Sequence, residues 1–98
     1  MLTSYPVKVD YALIAAASVS GTVATVLTTN HIGRELLISN SLDADVILTL
    51  NGAEWILLPA LQGGGLNTTY AYLPSGTVLG VKSRSGNPST GVLGLTNV

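Results

Sequence analysis

The chain has 98 residues, enough for one small domain. It contains no cysteine, which excludes disulfides, thiolate metal sites and cysteine nucleophiles. Only 9% of its residues are charged, against about 25% in an ordinary soluble domain; four basic side chains against five acidic ones also leave no basic stripe for nucleic acid.

So few charges fit either a compact domain with a neutral, hydroxyl-rich exterior or one that associates, and association is the preferred reading. Part of the apolar, hydroxyl-rich exterior is expected to be covered by other subunits. Phe is absent while Leu, Val, Ile and Thr abound beside eleven Gly, a composition of short strands and tight turns. The expected fold class is all-β: a small β-sandwich or jelly-roll-like domain of seven to eight short antiparallel strands. An N-terminal arm or linker is expected over 1–18 and a single sandwich domain over 19–98.

Residues 1–10 combine Pro6 with the alternating run Val7-Lys8-Val9-Asp10, which reads as an extended arm or edge strand. Residues 11–29 carry no charge. As a transmembrane helix the run is diluted by Ser18, Ser20, Gly21, Thr22 and Thr25. As a signal peptide it lacks a basic start, although Ala15-Ala16-Ala17-Ser18 keeps a cleaved, secreted form as a rival reading. The preferred reading is a turn or short helical piece at 12–18, then a strand at about 22–29.

Asn30-His31-Ile32-Gly33 reads as a turn. In the strand 34–41, Leu36 and Ile38 share one face and Glu35, Leu37 and Ser39 the other. The segment 40–45 is a polar turn in which Asp43 and Asp45 are expected to cap their own backbone. Asn51-Gly52 between two apolar runs predicts a type I′ hairpin. A two-residue turn pairs Leu50 with Ala53, Thr49 with Glu54, Leu48 with Trp55, Ile47 with Ile56 and Val46 with Leu57. Trp55 then faces inward. Pro59 ends that strand, Gln62-Gly63-Gly64-Gly65 forms a flexible turn, and strands follow at 66–72, 77–84 and 90–96, separated by turns at 74–76 and 85–88.

Chemistry is sparse in this pattern. His31, the one histidine, has no nucleophile or orienting carboxylate beside it in any recognisable motif, so it reads as a turn residue. The acids never take the spacing of a metal loop, and Gly63–Gly65 lacks the Lys-Ser/Thr of a phosphate loop. No catalytic residue, metal ligand or cofactor is expected, and the protein reads as a non-enzyme. Tyr70 and Tyr72 lie two apart on one strand face, and with Tyr5, Val7 and Val9 of the arm and Arg34 they are the expected partner contacts.

From Asn30 to Ala60 the pattern Asn30-x-x-x-Arg34-x-Leu36-Leu37-Ile38-x-Asn40, then Val46-x-Leu48 and Leu58-Pro59-Ala60, resembles small β-sandwich virion proteins of tailed bacteriophages; Ser85-Gly86 before the last strand matches their later element. The resemblance implies a structural protein of the virion, a head decoration (cement) protein or a component of the head–tail connector or tail, assembled in the host bacterial cytoplasm. It implies as partners the protein itself, as a homo-oligomer such as a trimer, and the major capsid or other virion proteins, with no nucleic acid and no membrane. The rival reading from residue types is a carbohydrate- or receptor-binding β module with Trp55 or the tyrosines stacked on sugar rings.

Overall fold

A computed structural model describes residues 10–60, 66–69 and 72–98. Among them are eight strands: β1 (Asp10–Ala15), β2 (Ala24–Thr28), β3 (Leu36–Asn40), β4 (Val46–Leu50), β5 (Ala53–Leu58), β6 (Leu66–Thr69), β7 (Val78–Ser83) and β8 (Val92–Asn97), with one 3-10 turn at Ala16–Ser18. They form two four-stranded sheets, sheet A in the order β1-β8-β3-β6 and sheet B in the order β2-β7-β4-β5. Every described pairing is antiparallel. The first strand therefore pairs with the eighth, the second with the seventh, the third with the sixth and the fourth with the fifth. That nested pairing across two sheets is the jelly roll.

Strand alternation explains the core. In sheet A, Ile14, Leu93, Leu95, Leu36 and Ile38 point inward; in sheet B, Val46, Leu48, Leu58, Leu79 and Val81 meet them, all nearly or fully buried. Ala16, Val19, Leu42 and Leu73 join this core from the connections between strands. With no Phe available, the interior is filled by aliphatic side chains, each contributing about 1.5–3 kcal/mol when fully buried.

Two polar clamps hold connections at the sandwich ends. Thr29 Oγ1 donates to the Pro74 carbonyl (2.8 Å) and accepts the Thr77 N–H (2.9 Å). Buried Asn40 donates from Nδ2 to the Pro59 carbonyl (2.9 Å) and accepts the Leu42 N–H at Oδ1 (3.1 Å). Each pins a loop that would otherwise bury unpaired backbone groups.

The hairpin tip forms as expected. Asn51 and Gly52 both have positive φ, 50° and 89°, as a type I′ turn requires. Past the tip the register departs from expectation. Leu50 pairs with Ala53 and Thr49 with Glu54, but a bulge inserts Trp55, so Leu48 pairs with Ile56, Ile47 with Leu57 and Val46 with Leu58. The bulge shifts the phase of β5 so that Leu58 enters the core and Leu57 faces solvent. Trp55 consequently lies half-buried against the core rather than inside it opposite Leu48.

The beginning of the sandwich also differs. The arm expected over 1–18 gives way at Asp10 to β1, which pairs along its whole length with β8, and only Ala16–Ser18 is a helical piece. Asp10, Ala12 and Ile14 fall on the inward side and Tyr11, Leu13 and Ala15 on the outward side. This alternation is weak in a run so rich in alanine. The strand expected over 66–72 appears as β6 over Leu66–Thr69; residues 70–71 lie outside the described residues, and Tyr72 lies in the connection before a bridge between Leu73 and Gly33. The Gly63–Gly65 turn lies outside the described residues.

Candidate functional site

Three places bring chemically distinct side chains together. The first is a buried polar cluster at one end of the sandwich. Asp10, at the start of β1, accepts at Oδ2 the backbone N–H of Asn30 (3.0 Å) and the Nδ2–H of Asn97 (3.1 Å), and lies 3.0 Å from His31 Nδ1. Burial by itself raises the Asp10 pKa, but the Asn30 N–H, the Asn97 amide and His31 together outweigh it and hold the carboxyl below its ordinary value. The cluster ties three elements: β1, the β2–β3 connection and β8. Gly33 lies so close to Asn97 that a Cβ there would overlap the side-chain amide.

A histidine oriented by a carboxylate is two-thirds of a nucleophilic triad. Here the far nitrogen, His31 Nε2, is buried without a hydrogen-bond partner among the described residues. Among the described residues no hydroxyl is bonded to Nε2, and the Asp10–His31 contact ties β1 to the β2–β3 connection. The expectation that His31 has no carboxylate beside it is corrected: Asp10 is 21 positions away in sequence and adjacent in space. The available signal was the inward position of Asp10 on β1, because an acid placed in a core requires a partner.

The second place is the outer face of sheet A. The outward positions of its described side chains are Tyr11, Leu13 and Ala15 on β1, Val92, Gly94 and Thr96 on β8, and Leu37 and Ser39 on β3. None is charged. Tyr11 and Leu13 are 61% and 60% exposed, and Leu13 reaches across Gly94.

The third is a shallow cleft of about 200 Å³ on the outer side of sheet B, lined by Ile47, Glu54, Trp55, Ile56, Leu57 and Arg84. Its charges are engaged: Lys82 Nζ bonds Glu54 at 2.6 Å, and Arg84 lies 3.6 Å from Asp45. The two outer faces are thus unlike, one uncharged and the other crossed by ion pairs.

Of the expected contact residues, Tyr5, Val7, Val9 and Tyr70 lie outside the described residues. Tyr72 is 73% exposed. Arg34 has an exposed side chain, its backbone N–H bonded to the Val98 carbonyl (2.7 Å), and no carboxylate within ion-pair distance among the described residues. Sequence reading missed Tyr11 and Leu13, because it did not place residues 10–15 in a strand; Val92 lies in the strand expected over 90–96 but was not singled out.

The acidic turn does different work from that expected. Asp43 and Asp45 cap distant backbone rather than their own: Asp43 accepts from the Ser89 N–H (2.7 Å), the Ser89 hydroxyl (2.6 Å) and the Thr90 N–H (3.2 Å), and Asp45 from the Ala60 N–H (2.8 Å). The Ser89 hydroxyl and N–H, with the Thr90 N–H, hold the Asp43 carboxyl far below its usual range. Among the described residues no three metal-ligating side chains cluster, and no helix is long and apolar enough to cross a membrane. Comparison with protein-family models, with curated proteins and with solved structures finds no match for the chain.

Proposed function

We propose that the protein is a non-enzymatic structural component of a virion, which binds and stabilises a phage capsid shell as a decoration (cement) protein or completes the head–tail or tail assembly. The observation that carries this reading is the uncharged outer face of sheet A, with Tyr11 and Leu13 exposed on it. Burying such a face against another protein desolvates no charge and releases water from apolar surface, at about 25 cal/mol per Å². Eight-stranded jelly rolls also build viral capsid domains. That is support by analogy of fold, since the same architecture serves lectins and cupins. In a lattice each copy repeats its contact many times, so a modest interface is enough.

The test is co-sedimentation of purified protein with shells assembled from candidate phage major capsid proteins, together with mass spectrometry of purified particles. The protein is expected in the particle fraction of both. Its absence from particles, and failure to sediment with shells, overturns the reading.

The cleft on sheet B favours one other reading, a carbohydrate- or receptor-binding module. A half-buried indole flanked by a carboxylate and a guanidinium offers a stacking surface with an acceptor and a donor for hydroxyls. Trp55 fluorescence titrated with saccharides and a glycan array decide it. Silence in both removes it.

A further inference from the structure

We propose that β1 is the element through which two copies of this chain pair, its free edge meeting the β1 edge of a second copy antiparallel about a two-fold axis. The inference rests on the association reading above and names the contact. A jelly roll leaves four open edges, here β1 and β6 of sheet A and β2 and β5 of sheet B. Open edges present unpaired N–H and C=O groups, and proteins blunt them with bulges, charges, prolines or shortness.

Two of the four are blunted along their described residues. β2 carries a bulge between Thr25 and Leu27. β5 carries the bulge at Trp55 and the Glu54–Lys82 ion pair. β6 is described over Leu66–Thr69 alone, and its length beyond them lies outside the described residues. Over its described residues, Asp10–Ala15, β1 runs in unbroken register with β8 and has no Pro, Gly, Lys or Arg. Its one charge, Asp10, points inward and is consumed by Asn30, Asn97 and His31. Among the described residues no backbone hydrogen bond reaches the far side of β1.

The register follows from the pleat. Paired residues in one sheet share a face, so outward positions must meet outward positions. Centring the axis on Leu13 satisfies this over the full outward set: Leu13 lies opposite its own copy, and Tyr11 opposite Ala15. The two sheets A become one eight-stranded sheet with an uncharged outer surface. Five paired residues make a contact about 17 Å long. That is small against the roughly 800 Å² per partner of a stable complex. The dimer is accordingly weak, visible at high concentration and strengthened when a shell holds copies side by side. This contact has two-fold symmetry, whereas the resemblance implied a homo-oligomer such as a trimer.

Because the axis passes Leu13, one substitution acts twice. Leu13→Lys places like charges face to face, on a side chain already 60% exposed. Sedimentation velocity across concentration is expected to show reversible dimers for the wild type and at least tenfold weaker association for Leu13→Lys, with unchanged circular dichroism. The chain has no cysteine of its own, so Leu13→Cys under mild oxidant is expected to give a disulfide-linked dimer on a non-reducing gel, while Ser85→Cys in an exposed loop stays monomeric. This second variant decides the matter if the lysine variant misfolds. A wild type that associates although residue 13 neither cross-links nor responds to lysine overturns the β1 contact and leaves the assembly reading standing. A wild type monomeric at every concentration also overturns the contact, and shell co-sedimentation then judges the function separately.

Discussion

Asp10 collects two hydrogen bonds and a histidine contact on one buried carboxylate oxygen, and its removal would leave the Asn30 N–H and the Asn97 amide without that acceptor. Truncation by Asp10→Ala is expected to cost about 2–4 kcal/mol in urea unfolding at neutral pH, because buried donors left unpaired carry their full desolvation penalty. Its pKa is lowered in the fold, so the ionised carboxylate favours the folded state at neutral pH. That contribution is lost as pH falls from 3.8 through the lower folded-state value. Wild-type stability should therefore decline in this acid window. Asp10→Ala should show a shallower decline, retaining the part that Asp43 contributes through its Ser89 and Thr90 bonds.

The β4–β5 hairpin separates what is local from what is not. Gly52 has φ 89° and open space around the position of a Cβ, so Gly52→Ala tests backbone strain without a clash. A loss of about 1 kcal/mol is expected by urea titration, with the hairpin register retained. The tip was legible in the sequence because Asn51-Gly52 dictates its own geometry. The bulge was not, because it depends on which of Ile56, Leu57 and Leu58 the opposite sheet can accommodate. The alternation of β3 was legible for the same local reason as the tip, with Leu36 and Ile38 inward. β1 was hidden because Ala12, Ala15 and Ala16 carry little periodic signal and its partner strand lies at the far end of the chain. For the same reason the Asp10–His31 pair and the Tyr11–Leu13 surface could not be seen from spacing alone; Arg34 and Tyr72, expected as partner contacts, are exposed.

At the scale of the whole molecule, charge is divided between two faces. Sheet B carries the Lys82–Glu54 pair and is bordered by Arg84–Asp45, while the outward positions of sheet A on β1, β8 and β3 carry none. The two outer faces therefore differ in charge along their described residues. If native copies associate, mass action makes stability depend on concentration. The melting temperature of the wild type is expected to rise by roughly 3 °C per tenfold increase in concentration above the dimer dissociation constant. For Leu13→Lys it should not move. Scanning calorimetry over two decades of concentration measures both.

The nested pairing has a further consequence, in time rather than space. The hairpin at β4–β5 joins neighbours in sequence, and each further pair closes a longer loop, ending with β1 against β8 across 87 positions from Asp10 to Asn97. Loop closure of that length is slow. As the chain emerges from the ribosome β1 is made first, yet it must wait for β8 before either of its edges is bonded. During that wait its partner can equally be the β8 of a neighbouring chain, which makes strand exchange between nascent copies the natural error of this fold.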